Sequence, residues 1–212
     1  RRVALVEARD LGGTCVNRGC TPTKTLRKSA RVAYLARRAA EFGVHVGPVE
    51  VDFAAAMERM QQRVDTSRAG LQSWLGGLSG LEIVKAHGRL LGRDDGDFLV
   101  QAGPRQLRAP RVILNTGTRP FMPPIPGLHD TPHLDNEGLL ALRERPRKLV
   151  VIGGSYIGLE FGQIFRRLGS EVAIIEGGPR LTGREDPDIS AAITDMLRAE
   201  GVDVFTGQAI VR

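Results

Sequence analysis

Cysteine is scarce in this chain: 212 residues contain only Cys15 and Cys20, separated by four residues. A structural zinc site needs further ligands, and the histidines are scattered, so we expect no metal site. A disulfide across so short a loop constrains little chain entropy, and no feature of the sequence indicates secretion. Two interpretations stay open on spacing alone: a redox pair, or two separate cysteines packed in a core. The histidines are His45, His87, His129 and His133.

Aromatic residues and long apolar runs are also few. Aromatics make up 5% of the chain and do not interleave with basic residues, so the stacking platform of a nucleic-acid-binding protein is not expected. No apolar run approaches the roughly 20 residues of a membrane span. The net charge of +6 comes from dispersed arginines and indicates a solvated surface. Without a signal peptide, we expect a cytoplasmic protein.

The composition, 42% hydrophobic and 25% charged, is that of a globular protein with a core of one or two domains. The chain opens on an apolar strand, Val3–Val6, and closes on an extended run at Gln208–Arg212. Because a buried parallel strand needs neighbours on both sides, we expect this chain to be an internal fragment of a longer protein.

The two cysteines lie in a glycine-rich stretch, Gly-Gly-Thr-Cys-Val-Asn-Arg-Gly-Cys-Thr-Pro-Thr-Lys, at residues 12–24. The residues after it, Thr25 to Glu41, predict a helix, and Pro22 suits its first turn. A thiolate near a helix N-terminus and close to Lys24 is stabilised, which makes it reactive. This setting favours a redox pair over a structural disulfide.

A second glycine-rich stretch has the pattern of a dinucleotide-binding turn. An apolar strand at Lys148–Ile152 leads into Gly-Gly-Ser-Tyr-Ile-Gly, followed by a helix to Leu168 and a strand at Val172–Ile175. Glu176 ends that strand, 23 positions after Gly153 by subtraction. This context makes the pattern far more specific than glycines alone.

Two positions of this pattern bear on the nucleotide. Ser155 replaces the second glycine, where the pyrophosphate comes closest, and predicts weaker binding. Glu176 can accept hydrogen bonds from the ribose hydroxyls and repels a 2′-phosphate, so NADH is favoured over NADPH. Arg180 and Arg184 nearby would soften that preference.

The remaining segments predict a helix at about Phe53–Leu75, then short extended runs with turns between them. We expect these runs to form a β-meander, followed by a buried strand at Arg111–Leu114 that ends in a small-residue turn. The runs are Leu81–Val84, Gly88–Leu91, Asp97–Val100 and Gln106–Ala109.

The stretch at residues 12–24 closely resembles the active-site signature of the class I pyridine nucleotide–disulfide oxidoreductases, which include dihydrolipoyl dehydrogenase, glutathione reductase and mercuric reductase. The resemblance implies an α/β fold: a Rossmann-like FAD-binding domain with a small β-meander at residues 1–145, then the start of a Rossmann-like NAD(P)-binding domain at residues 146–212. A C-terminal dimerisation domain would be absent, and the full-length parent would be a homodimer. The implied cofactors are FAD and NAD(P)H.

The resemblance assigns catalytic roles to five residues. Cys20 resembles the thiol next to the flavin, and Cys15 the interchange thiol that attacks the substrate. Lys24 resembles the lysine near flavin N5, Glu160 its acidic partner, and Tyr156 the aromatic residue that gates the nicotinamide pocket. Without the resemblance, Glu160 would be interpreted as a first-turn acid that complements the helix dipole.

The resemblance also assigns the cofactor contacts. Glu7 resembles the acid that binds the FAD adenosine ribose, and Gly88 passes the adenine with its backbone. Thr116 and Gly117 resemble the second FAD contact, with Asn115 in place of the usual alanine. The redox-loop contacts are Gly12, Gly13, Thr14, Cys15 and Lys24, and the NAD(P) contacts are Gly153, Gly154, Ser155, Tyr156, Ile157, Gly158 and Glu176.

In this family hydride passes from NAD(P)H to FAD, and the flavin reduces the disulfide. The redox loop is most similar to that of mercuric reductases, although these typically read Cys-Val-Asn-Val-Gly-Cys-Val-Pro-Ser-Lys. Dihydrolipoyl dehydrogenase is the near alternative, so the electron acceptor is a small disulfide, a lipoyl group or Hg(II). A nucleotide-binding redox sensor or subunit without turnover is a further alternative. We expect the 212-residue chain to be inactive alone.

Overall fold

The computed structural model describes residues 2–210 and has the α/β fold expected from the sequence, with parallel sheets. The chain divides into two compact units: one holds the residues up to 21 with 62–120, and the second holds 22–61 with the residues from 121 onward. The cofactor-domain boundary at 145/146 stays a prediction, since compactness alone does not define a cofactor site. No helix within residues 2–210 has both the length and the apolar character needed to cross a membrane.

The first unit contains a parallel strand pair and an antiparallel meander. Strand β1 (Val3–Glu7) pairs with β2 (Leu81–Lys85) in parallel. The meander consists of β3 (Gly88–Asp94), β4 (Asp97–Ala102) and β5 (Arg105–Ala109). The predicted meander was therefore wrong at Leu81–Val84: this run joins the parallel pair because β1 offers it an apolar neighbour, a long-range pairing that local turn signals do not reveal.

Three helices lie in the first half of the chain: α1 (Gly13–Arg18), α2 (Cys20–Arg37) and α3 (Phe53–Gly76). Helix α3 confirms the prediction from Phe53. Helix α2 begins five residues before the predicted start at Thr25, because Cys20 and the following Thr-Pro-Thr-Lys already adopt helical geometry. The proline fits there because the first turn of a helix has no partner for its backbone N–H groups.

The second unit contains a parallel sheet in the order β6–β7–β8. Its strands are β6 (Lys148–Ile152), β7 (Glu171–Glu176) and β8 (Asp203–Thr206). Its helices are α4 (Asn136–Leu140), α5 (Tyr156–Leu168) and α6 (Pro187–Ala199), together with α2 from residue 22 and α3 up to residue 61. The predicted strand, turn, helix and strand are all present. Their core is built on Phe165, Ile174 and Leu168, all almost fully buried. The Phe53 ring lies 5.9 Å from the Phe165 ring, centroid to centroid.

The predicted strand at Arg111–Leu114 does not form. Residues 111–120 have no regular structure, and Ile113 is 91% exposed instead of buried. An apolar sequence becomes a strand only where a neighbouring strand can accept its hydrogen bonds, and within residues 2–210 none lies beside this segment. At the other end, residues 208–210 are not a strand, and residues 211–212 lie outside the described part of the chain.

Candidate active site

The redox stretch folds as two consecutive helices instead of an open loop. Gly12 precedes α1 with a left-handed backbone (φ +95°), and a Cβ there would come within 2.7 Å of the Val16 side chain. Only glycine therefore fits this position without strain. Cys15 lies in α1, Cys20 is the first residue of α2, and both cysteine side chains are exposed. The predicted position of a cysteine at a helix N-terminus is confirmed.

A polar brace that the sequence analysis did not identify holds this stretch. The Asn17 amide nitrogen donates to the carbonyl oxygens of Leu11 (3.0 Å) and Gly13 (2.9 Å), while its oxygen accepts from Nε of Arg68 (2.9 Å). Arg18 pairs with Asp10 at 3.0 Å between Nη2 and Oδ2. The one available signal was that Asn17 and Arg18 lie between the cysteines. Arg68, the partner of Asn17 far along the chain, could not be inferred from it.

Lys24 and Glu160, 136 residues apart, form an ion pair. Lys24 is the fifth residue of α2 and Glu160 the fifth residue of α5, and both belong to the second compact unit. A lysine near a helix N-terminus is unfavourable next to the helix dipole, and the Glu160 carboxylate offsets that cost. The Lys24 side chain is still 54% exposed, so its ammonium group is accessible to a ligand.

The second glycine-rich stretch forms a tight turn between β6 and α5. A Cβ on Gly158 would overlap the Gly153 carbonyl oxygen and lie 3.1 Å from Val151 Cγ1, so the third glycine is needed for close packing of helix against strand. Ser155 occupies the N-cap position of α5 with an extended backbone (φ −96°), which any residue adopts, and its side chain makes no capping hydrogen bond. At the first turn of α5, Tyr156 is 70% exposed and Ile157 is 50% exposed.

Glu176 closes this turn at the carboxyl end of β7. Its Oε2 accepts a hydrogen bond from the backbone N–H of Gly154, and its Oε1 accepts one from Gly178, each at 2.6 Å. The carboxylate is thus fixed against the glycine turn. Arg180 donates from Nη2 to the carbonyl oxygens of Gly183 and Glu185, both at 3.2 Å, so its guanidinium is held by its own loop.

The predicted FAD contacts outside the redox stretch lie in the first compact unit. Glu7 ends β1, and its carboxylate accepts a hydrogen bond from the backbone N–H of Arg9 at 2.7 Å. Glu176 makes the equivalent bond with Gly178, which also lies two residues further along the chain. Gly88 packs against Val6, where an added Cβ would lie 3.3 Å from Cγ1. Glu7 and Gly88 therefore share the carboxyl end of the β1–β2 pair. Thr116 and Gly117 lie in the exposed irregular segment after β5.

Known proteins with similar sequences and folds agree on one family. The model of the family described as pyridine nucleotide-disulphide oxidoreductase matches residues 1–212. A mercuric reductase from Bacillus cereus is 36% identical over 211 residues, covering 100% of this chain and 33% of the relative. A dihydrolipoyl dehydrogenase from Chlamydia muridarum is 34% identical, covering 99% of this chain and 45% of the relative.

The fold is also similar to that of solved structures. The HOCl-induced flavoprotein disulfide reductase RclA from Escherichia coli superimposes with a TM-score of 0.84 at 32% sequence identity, covering 100% of this chain and 45% of RclA. The chain spans between a third and a half of the length of the relatives that it matches.

Proposed function

Because the chain belongs to the pyridine nucleotide–disulphide oxidoreductase family, we propose that its full-length protein passes electrons from NADH through FAD to a redox disulfide formed by Cys15 and Cys20. When bound, FAD supplies a ring that accepts hydride from the nicotinamide and passes two electrons to a disulfide. The residues of this chain bind and orient the two cofactors and hold the thiols.

The observation that carries this proposal is the Lys24–Glu160 ion pair. It joins the helix that begins at Cys20 to the helix that begins at the dinucleotide turn. A cation fixed in this way would stabilise an electron-rich ring that lies next to it. An ion pair this exposed contributes only about 0–1 kcal/mol to stability, so positioning of the ammonium group is the more important effect.

The two thiols take different roles in the proposal. Cys20, the first residue of α2, is the thiol beside the flavin, as the family resemblance implies. Cys15 is the interchange thiol that attacks the acceptor. Both cysteine side chains are exposed, so an acceptor can reach either, and the family resemblance assigns the attack to Cys15.

Nucleotide binding is assigned to the turn at residues 153–158 and to Glu176. The glycine turn at the N-terminus of α5 would face the pyrophosphate, and Tyr156 would cover the nicotinamide pocket. The fixed carboxylate of Glu176 supports NADH over NADPH, since it would accept from ribose hydroxyls and repel a 2′-phosphate. Arg180 would weaken this preference if it bound a 2′-phosphate. Its guanidinium is instead bonded to carbonyl oxygens of its own loop.

The contacts to the adenosine part of FAD, and the second FAD contact, are assigned to the first compact unit. The Glu7 carboxylate, at the carboxyl end of β1, would accept from the adenosine ribose, and the backbone at Gly88 would pass the adenine. The shared strand end of these two residues fits a nucleotide placed across it. Thr116 and Gly117 are the remaining residues of this unit that we propose to contact FAD.

The electron acceptor is a small disulfide, a lipoyl group or Hg(II), and the full-length protein is proposed to be a cytoplasmic homodimer. The similarity to a mercuric reductase and to a dihydrolipoyl dehydrogenase is nearly equal, so both acceptors belong in the assay. Arg18 is charged where typical mercuric reductases have valine between the cysteines.

An anaerobic NADH titration of the FAD-loaded full-length protein tests the proposal. We expect a long-wavelength thiolate-to-flavin absorbance band at the two-electron stage. The band should be absent throughout the titration in Cys20→Ser. In Cys15→Ser, the matched control, the Cys20 thiolate lies beside oxidised flavin from the start, so the band should be present before NADH is added and should be lost as NADH reduces the flavin. Direct bleaching to reduced flavin without the band in the wild-type protein would remove the cysteines from the electron path and favour a redox sensor or subunit without disulfide turnover.

A further inference from the structure

A second charged site lies away from the dinucleotide turn, in the second compact unit. A cavity of about 750 Å³ opens between the C-terminal halves of α2, α5 and α6. Its volume falls within the range of small-molecule pockets. Along α5, Arg167 lies roughly 16 Å beyond the start of the helix, so the cavity is distinct from the glycine turn.

Arginines dominate the charge of this cavity. Four line it, against two glutamates. Both glutamates are already paired: Arg167 binds Glu200 through two hydrogen bonds of 2.6 and 2.7 Å, and Arg38 binds Glu41. The Arg38 guanidinium lowers the pKa of the Glu41 carboxyl, mainly through their hydrogen bond, so this pair stays ionised at neutral pH.

Tyr34 fixes the two paired arginines in place. The guanidinium carbon of Arg167 lies 4.2 Å from the Tyr34 ring centroid, and that of Arg38 lies 4.9 Å away. Arg38 also donates to the Tyr34 hydroxyl. Both guanidinium groups stack on one ring and bind carboxylates. Together with their glutamate partners they form a fixed wall of the cavity that carries no net charge.

The other two arginines, Arg37 and Arg166, carry the excess charge. Arg37 donates through Nη1 to the Arg167 carbonyl oxygen at 2.6 Å, and Arg166 donates through Nε to the Glu200 carbonyl oxygen at 2.8 Å. Across residues 2–210, neither has a carboxylate partner. Arg166 also donates through Nη1 to the Ser170 carbonyl oxygen at 3.4 Å. In each guanidinium the N–H groups beyond these bonds keep their donor capacity.

We propose that this cavity binds a small anionic molecule carrying two or more phosphate groups, with Arg37 and Arg166 as its charged ligands. Anchored guanidinium groups suit phosphate oxygens because the donors form a planar fork of matching geometry. Helix C-termini attract cations by themselves, since each carries about half a negative charge. A purely capping role for the arginines is therefore the competing explanation that the test must separate.

The test uses inorganic pyrophosphate as the probe, titrated calorimetrically into the FAD-loaded full-length protein at low ionic strength. We expect saturable binding, and Arg37→Gln should weaken it by about tenfold, the usual effect of losing one charge-assisted hydrogen bond. The matched control is Arg31→Gln, which removes the same charge from an exposed position of the same helix outside the cavity. Its affinity should equal that of the wild type.

Two further measurements complete the test. Saturating NADH should leave pyrophosphate binding intact, whereas competition would place the anion at the dinucleotide turn and overturn the proposal. Arg166→Gln should weaken binding and Arg166→Lys should partly restore it, with thermal unfolding recorded for both. No binding to the wild-type protein, or equal affinity in Arg37→Gln and Arg31→Gln, would leave the arginines with the capping role alone and would also overturn the proposal.

Discussion

At the scale of single residues, the dinucleotide turn depends on atoms in very close contact. The Gly158 Cα lies so near the Gly153 carbonyl that no side chain fits, while Ser155 occupies an unstrained position. The departure from the glycine pattern at Ser155 therefore places no strain on the fold. Any effect of the serine has to come from its contact with the nucleotide.

We predict that Gly158→Ala lowers the free energy of unfolding by about 1–3 kcal/mol, because the added methyl group overpacks the turn. NADH affinity should fall as well, since the Gly153 carbonyl must move. Urea unfolding and NADH titration measure the two effects. Gly177→Ala is the matched control, because the nearest atom to its added Cβ lies 3.9 Å away. Equal behaviour of the two variants would contradict the close-packing argument.

Glu176 supports a prediction about cofactor choice. In Glu176→Ala, the ratio of kcat/KM for NADH to that for NADPH should fall by about tenfold, because the ribose loses an acceptor and the 2′-phosphate loses a repelling charge. Steady-state assays with both nucleotides give this ratio. Glu171→Ala removes an exposed glutamate at the other end of the same strand and should leave it unchanged. An unchanged ratio in Glu176→Ala would falsify the assignment.

At the scale of elements, local patterns were predictable and long-range pairings were not. The strand, turn and helix at residues 148–168 follow from neighbouring residues, and all are present. The pairing of β2 with β1 and the failure of Arg111–Leu114 to form a strand depend on distant partners that periodicity does not reveal. For the same reason, no local pattern predicts the ion pair of Lys24 with Glu160, and only the family resemblance indicated it.

The Asn17 brace gives a prediction for the redox element. Asn17→Ala removes three hydrogen bonds to carbonyl oxygens and the acceptor of Arg68, and so should favour local opening of α1. We expect amide hydrogen exchange over residues 10–20 to become about tenfold faster, which corresponds to roughly 1.4 kcal/mol. Asn115→Ala, at an exposed position, is the control. Unchanged exchange rates in Asn17→Ala would show that residues 10–20 stay closed without the hydrogen bonds of Asn17.

At the scale of the whole molecule, the two compact units bury their cores but leave an apolar segment uncovered. Ile113 and Leu114 are adjacent and are 91% and 69% exposed. Single exposed apolar side chains are common in soluble proteins, but adjacent ones on a backbone without regular hydrogen bonds are not. Such a segment offers both apolar surface and backbone groups to another molecule.

We therefore predict that residues 1–212, produced as a separate chain, self-associate and bind the hydrophobic dye ANS. The double variant Ile113→Asn/Leu114→Asn should reduce both effects, because it removes the adjacent apolar side chains without disturbing a packed core. Light scattering and dye fluorescence across a concentration series measure the change. Val32→Asn alters an exposed apolar residue of helix α2, 59% exposed, and should leave association unchanged. If the double variant and Val32→Asn associate to the same extent, the segment at 113–114 is not the surface that drives self-association.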